Sequence, residues 1–114
     1  MSNFDNQSLY SRGLELYKKN QLDNSLNFLI RIEDKDLNTL KLISKIYIKK
    51  TDFDNAKIIL NEILSLDKKN LFALNSLGDL NKIEKNFANA EKYYLKSISL
   101  NENLISSYFN LGSL

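Results

Sequence analysis

A phrase of this sequence returns after thirty-four residues: Leu77-Gly78 is echoed by Leu111-Gly112. Sliding the chain against itself by that distance also brings Phe53 onto Phe87 and Ala56 onto Ala90. Toward the N-terminus the frame continues with a step of thirty-one, Gly13 meeting Ser44 and Leu22 meeting Phe53, the shortfall lying near 33–36. A fixed period of this length signals a stack of one supersecondary unit, each repeat packing on its neighbours. The period predicts a frayed or disordered segment 1–5 and a short, atypical repeat over 6–36. Two regular repeats follow, over 37–70 and 71–104, and 105–114 is the first helix of an incomplete fourth.

Each repeat splits into two amphipathic stretches. In the third, Leu74, Leu77 and Leu80 share one side of a helix, and Phe87, Ala90, Tyr94 and Ile98 recur at helical spacing in the next. The second does the same with Leu40, Ile43, Ile46 and Tyr47, then Phe53, Ala56, Leu60, Ile63 and Leu64. With no proline and three glycines in 114 residues, few strong breakers interrupt these stretches. Lys18-Lys19 and Lys49-Lys50 close the first helices of two repeats, where a cation meets the negative end of the helix dipole. Asp23 and Asp54 are expected as caps or first-turn acids of the second helices. Turns this short fold the two helices of a repeat antiparallel. The expected class is all-α, an α-solenoid of antiparallel helix pairs.

A glycine inside a helix costs about 1 kcal/mol relative to alanine, so its place needs a packing reason. Close crossing of paired helices supplies one, with Gly13 expected opposite Ser25, Ser44 opposite Ala56, and Gly78 opposite Ala90. By the same reasoning the partner of Gly112 lies past Leu114, and the helix carrying Tyr108, Phe109, Leu111 and Leu114 is more apolar than a solvated cap. That helix is expected to be covered by further repeats or by a partner, which includes a second copy of the chain.

Composition removes several function classes. The chain has no cysteine and no histidine, which excludes disulfides and thiol or imidazole catalysis and disfavours zinc sites. It has no Gly-rich phosphate loop, and the acidic cluster Glu33, Asp34 and Asp36 falls in a turn between repeats, where it reads as solvated. No catalytic activity, metal or cofactor is expected. A net charge of +2 does not suggest nucleic acid, and no apolar run approaches the ~20 residues of a membrane span. The lack of disulfides fits a reducing compartment, and a cytoplasmic location is the expectation.

The stretch 73–103, ALNSLGDLNKIEKNFANAEKYYLKSISLNEN, resembles a tetratricopeptide repeat (TPR). It has the Leu-Gly pair in its first helix, then an aromatic, an alanine, an aromatic and a small residue in its second. The turn SLDKKN at 65–70 is similar to the boundary between repeats of that family, with lysine where proline is usual. Three positions depart from the pattern: Arg12 replaces a leucine, Ser44 a glycine or alanine, and Asn81 an aromatic residue. The resemblance implies a right-handed superhelix whose first helices line a concave groove.

Carried onto this chain, the groove face holds Tyr10, Leu14 and Tyr17, then Lys41, Lys45, Ile48 and Lys49, then Phe72, Asn75, Asp79 and Lys82, and lastly Phe109. Lys41, Lys45 and Lys49 recur every four residues as one basic stripe beside aromatic residues, which suits a partner peptide with acidic and apolar side chains. The clamp that holds chaperone tails in this family is not expected, because its places carry Tyr10, Leu14, Leu42, Phe72 and Ser76. The leading expectation is a non-catalytic protein-interaction module. Two alternatives are the N-terminal portion of a larger protein, such as a glycosyltransferase or sulfotransferase, and a self-assembling scaffold joined through the uncovered C-terminal helix.

Overall fold

The computed structural model describes residues 5–100. Among them six helices occur and no strand: α1 (Asn6–Lys18), α2 (Leu22–Ile30), α3 (Leu37–Lys49), α4 (Phe53–Leu66), α5 (Leu71–Ile83) and α6 (Phe87–Leu100). First helices thus start at 6, 37 and 71 and second helices at 22, 53 and 87, the same two steps in both series. The shorter step comes from α2, which has nine residues where α4 and α6 have fourteen. After Ile30 the chain turns Ile32 into the core, and the Lys35 ammonium donates to the carbonyls of Ile30 and Ile32, satisfying acceptors that the helix end leaves open.

Local chemistry sets the helix boundaries. The first helices each begin after a side chain that accepts the amide three residues on: Asp5 from Ser8 at 2.7 Å, Asp36 from Thr39 at 2.8 Å and Asn70 from Ala73 at 2.9 Å. Asp5, assigned from sequence to the frayed segment, is therefore a helix cap. Asp23 and Asp54 stand in the first turns of α2 and α4. For α4 the cap is Asp52, whose carboxylate receives Asn55 N at 3.4 Å and Asn55 Nδ2 at 2.7 Å.

At their C-termini the first helices close with one motif used three times. Gln21, Asp52 and Asn86 donate backbone N–H to the carbonyls of Leu16, Tyr47 and Asn81, five residues back, at 2.8–2.9 Å. This closure needs a left-handed residue, and the positions hold Asn20 (φ 59°), Thr51 (φ 57°) and Lys85 (φ 63°), none of them glycine.

The chain divides between Ile59 and Leu60, inside α4, into two compact units. In the first unit Leu9, Leu26, Leu29, Ile32, Leu42, Ile43 and Ile46 form one buried cluster drawn from α1, the α2 region and α3. In the second, Leu74, Leu77 and Leu80 of α5 are buried, as are Ala90 and Tyr94 of α6 and Leu60 and Ile63 of α4. Phe87, expected on the buried face, is 48% exposed. It is the first residue of α6, level with the end of α5, where Ile83 is likewise exposed.

The three departures from the repeat pattern each find a local partner. Ser44 is fully buried and donates to Lys41 O at 2.7 Å, and Asn81 donates Nδ2 to Leu77 O at 2.7 Å, so neither buries an unsatisfied group. Arg12 is exposed, pairs with Glu15 at 3.2 Å, and lies 5.9 Å from the centre of the Phe28 ring, with Arg31 at 5.5 Å. The chain's two arginines share one aromatic surface.

The glycines mark the closest helix crossings. A Cβ on Gly13 would fall 2.5 Å from Cδ2 and 2.6 Å from Cγ of Leu29, and one on Gly78 would overlap the Tyr94 ring, 2.7 Å from Cδ1. For Gly78 the opposing group is thus the Tyr94 ring, one turn beyond the expected Ala90. At Gly13 the serine expected opposite does bind, Ser25 Oγ donating to Gly13 O at 2.6 Å. Gly78→Ala is expected to lower unfolding free energy by about 1–3 kcal/mol, the usual range for overpacking, and Gly13→Ala by less, because a leucine tip yields more easily than a held ring. Urea denaturation of both variants checks the order. Lys85→Gly should stabilise by about 0.5–1 kcal/mol, relief of the left-handed strain outweighing the added chain entropy, and its urea midpoint should rise.

Candidate functional site

The first unit brings the N-terminal part of the expected face together. Tyr10, Leu14 and Tyr17 are half-buried and pack on the core cluster, leaving part of each side chain at the surface. On α3, Lys41 and Lys49 are exposed and Lys45 and Ile48 half-buried, so the four-residue spacing does make a surface row. Lys49 Nζ lies 4.7 Å from the centre of the Tyr17 ring, an interaction worth about 0.5–1 kcal/mol at an exposed site. Next to it the Lys50 ammonium pairs with Asp23, and the hydrogen bond to that carboxylate, more than the weaker charge effects, holds the lysine above its ordinary pKa. The row is anchored at its C-terminal end by contacts to α1 and α2.

In the second unit Phe72, Asn75 and Lys82 of α5 are half-buried and Asp79 is exposed. Asp79 has a structural task that sequence reasoning missed. Its carboxylate accepts the Tyr94 hydroxyl at 2.5 Å. The Tyr94 ring is fully buried, and burial first, then the bond to Asp79 and its charge, push the phenol well above the ordinary tyrosine range. The hydroxyl therefore remains a proton donor and fixes the ring that fills the notch at Gly78. Residue identity alone held no signal for this pair, which lies fifteen residues apart on two different helices.

Other ionisable groups near these faces are also engaged. Asp5 and Glu15 sit below the ordinary carboxylate range, Asp5 chiefly through the Ser8 amide and Glu15 chiefly through its hydrogen bond to Lys19. Asn6 bridges both backbone groups of Glu33, donating to its O at 2.8 Å and accepting from its N at 3.1 Å. Beside that bridge lies a cleft of about 290 Å³ lined in part by Gln7, Tyr10, Asp34 and Asp36. Among the described residues no group of three acidic side chains is placed to hold a metal, and no helix is long and apolar enough to cross a membrane. Tyr108, Phe109, Leu111 and Leu114, the expected self-association surface and the last groove position, lie outside the described residues.

A tetratricopeptide-repeat family model matches residues 41–70 and 73–104, more than half of the chain. Among solved structures, the first TPR of Spaghetti (RPAP3) bound to HSP90 peptide SRMEEVD is similar with a TM-score of 0.84 and 16% identity. That alignment covers 99% of this chain and 94% of the other. MamA is similar at a TM-score of 0.84 and 15% identity, over 94% of this chain and 64% of its own. The Arabidopsis OM64 TPR domain gives a TM-score of 0.83 and 15% identity, over 95% and 92%. At these identities the likeness is one of fold. No curated protein matches the chain by sequence.

The Tyr94–Asp79 bond yields a direct test. Tyr94→Phe keeps the ring and removes one hydrogen bond to a charged acceptor, and should lower stability by about 1–2 kcal/mol with the helical circular dichroism unchanged. A urea midpoint equal to that of the parent chain would show that the hydroxyl bond contributes nothing net.

Proposed function

This chain belongs to the tetratricopeptide-repeat family, and from that premise we propose that it is a non-catalytic protein-interaction module whose first helices hold a partner peptide or partner surface. The observation that carries the reading is the α3 row of Lys41, Lys45 and Lys49, set at the surface beside the aromatic side chains of α1. Half-buried tyrosines give apolar contact area at low entropic cost because the core already holds their rings. The ammonium row adds orientation and favours acidic partners. The partner class is accordingly a segment that alternates acidic and apolar side chains, the mode in which a helix face or an extended peptide is read by fixed anchors.

The chaperone-tail version of this function is not the one favoured. One position of that clamp is Leu42, which is 5% exposed and belongs to the core cluster, and Tyr10 and Phe72 offer no ammonium or amide at two others. A relative in the structural comparison holds an HSP90 peptide; this chain, on the same fold, lacks that donor set.

Selection from a displayed peptide library on the intact chain tests the proposal. The enriched sequences should interleave Asp or Glu with apolar residues. Their affinity, read by fluorescence polarisation, should fall roughly tenfold or more in the variant Lys41→Glu with Lys49→Glu, since like charges set against each other at an interface are costly. Thermal melts of the variant control for folding. Failure to enrich any sequence, or binding unchanged by the charge reversal, sinks the proposal.

A further inference from the structure

Within the second unit lies a cleft of about 200 Å³ away from the α5 residues named above. Its lining is Lys68 and Lys69 from the α4–α5 turn, Leu74 of α5, and Lys96, Ser99 and Leu100 of α6. Three lysines from two separate elements line it, and among the described residues its lining holds no carboxylate. All three lysines are exposed, and among the described residues none of them forms an ion pair.

Asp67, the acid of the α4–α5 turn, is turned into its own loop. Its Oδ1 accepts Lys69 N at 3.2 Å, and its Oδ2 accepts Asn70 Nδ2 at 3.2 Å. The Asn70 side chain in turn caps α5. The turn therefore satisfies its own backbone and leaves the three lysines without an acidic partner among the described residues, an arrangement that attracts an anion. The cleft is also partly apolar. Leu74 is buried in its wall, while Leu100 is 41% exposed and offers a surface that a bare inorganic ion cannot use.

We propose that this cleft is a second, independent recognition site that takes a glutamate or aspartate side chain of a partner protein together with an adjoining apolar residue. The ammonium groups of Lys68, Lys69 and Lys96 face the carboxylate, and Leu100 receives the apolar neighbour. A volume of about 200 Å³ is on the scale of one or two side chains and not of a folded surface, so the ligand is a short acidic segment. The site shares no residue with those named for the preceding proposal, and either can fail without the other.

Amide NMR shifts of the intact chain test it, with three probes: acetyl-Leu-Glu-Glu-Leu-amide, the matching Gln peptide, and inorganic phosphate. The Glu peptide is expected to move the amides of Lys68, Lys69, Leu74, Lys96 and Ser99 in a saturable way, and the Gln peptide to leave them still. In the variant carrying Lys68→Gln, Lys69→Gln and Lys96→Gln, affinity should drop roughly tenfold, the scale of two or three exposed ion pairs, with the thermal midpoint unchanged. Equal shifts with the Gln peptide would overturn charge recognition. Phosphate binding as well as the peptide would overturn the peptide assignment in favour of a small oxyanion site. Shifts confined to α1 and α3 would overturn this cleft and support the first-helix reading alone.

Discussion

Close approach of paired helices is the constraint on which the rest depends. Gly13 and Gly78 each remove one Cβ at the point where a second helix crosses, and the space is filled at once by Leu29 and Tyr94. The crossing is tight enough for Ser25 Oγ to reach a backbone carbonyl of the facing helix at 2.6 Å. Only with the axes this near can short helices of nine to fourteen residues bury enough apolar surface to persist, since isolated helices of that length are marginal in water.

Among the described residues the Ser97 hydroxyl of α6 is the one buried side-chain polar atom without a hydrogen-bond partner. The helix starts are capped by Asp5, Asp36 and Asn70, the three recurrent turns close on residues five back, and the buried Ser44 and Asn81 bond within their own helices. Asp79 shows the division of labour at its most economical. Its carboxylate lies on an exposed part of α5 and yet holds the ring that packs against Gly78. The surfaces proposed for recognition are instead the lysines of α3 and of the α4–α5 turn.

Much of this was legible along the chain, for reasons that particular residues make plain. Periodicity located Leu40, Ile43, Leu74, Leu77 and Tyr94 in the core because a helix face repeats its burial every three or four residues. It failed at Phe87, where the spacing is right but the helix has only just begun and the facing end of α5, at Ile83, is itself exposed. It named the caps of the second helices loosely, since Asp52 and Asp54 both precede or enter α4 and a two-residue difference in a turn leaves no mark in composition. The row on α3 was visible as lysines spaced by four. The cleft of Lys68, Lys69 and Lys96 was not, because its members come from a turn and from the far end of a later helix.

By itself the sequence determined the order of the six described helices, the placing of Gly13 and Gly78 at crossings and the membership in a repeat family, all of which rest on local spacing. The tertiary structure decided what Gly13 and Gly78 face, that Tyr94 and not Ala90 fills the space at Gly78, that Asp79 is bound to its hydroxyl, and that Lys96 shares one opening with Lys68 and Lys69. The physical reason is one of range. Helix periodicity and turn chemistry act over three to five residues, whereas the crossing offset and convergence of side chains from different helices are set by how those helices pack.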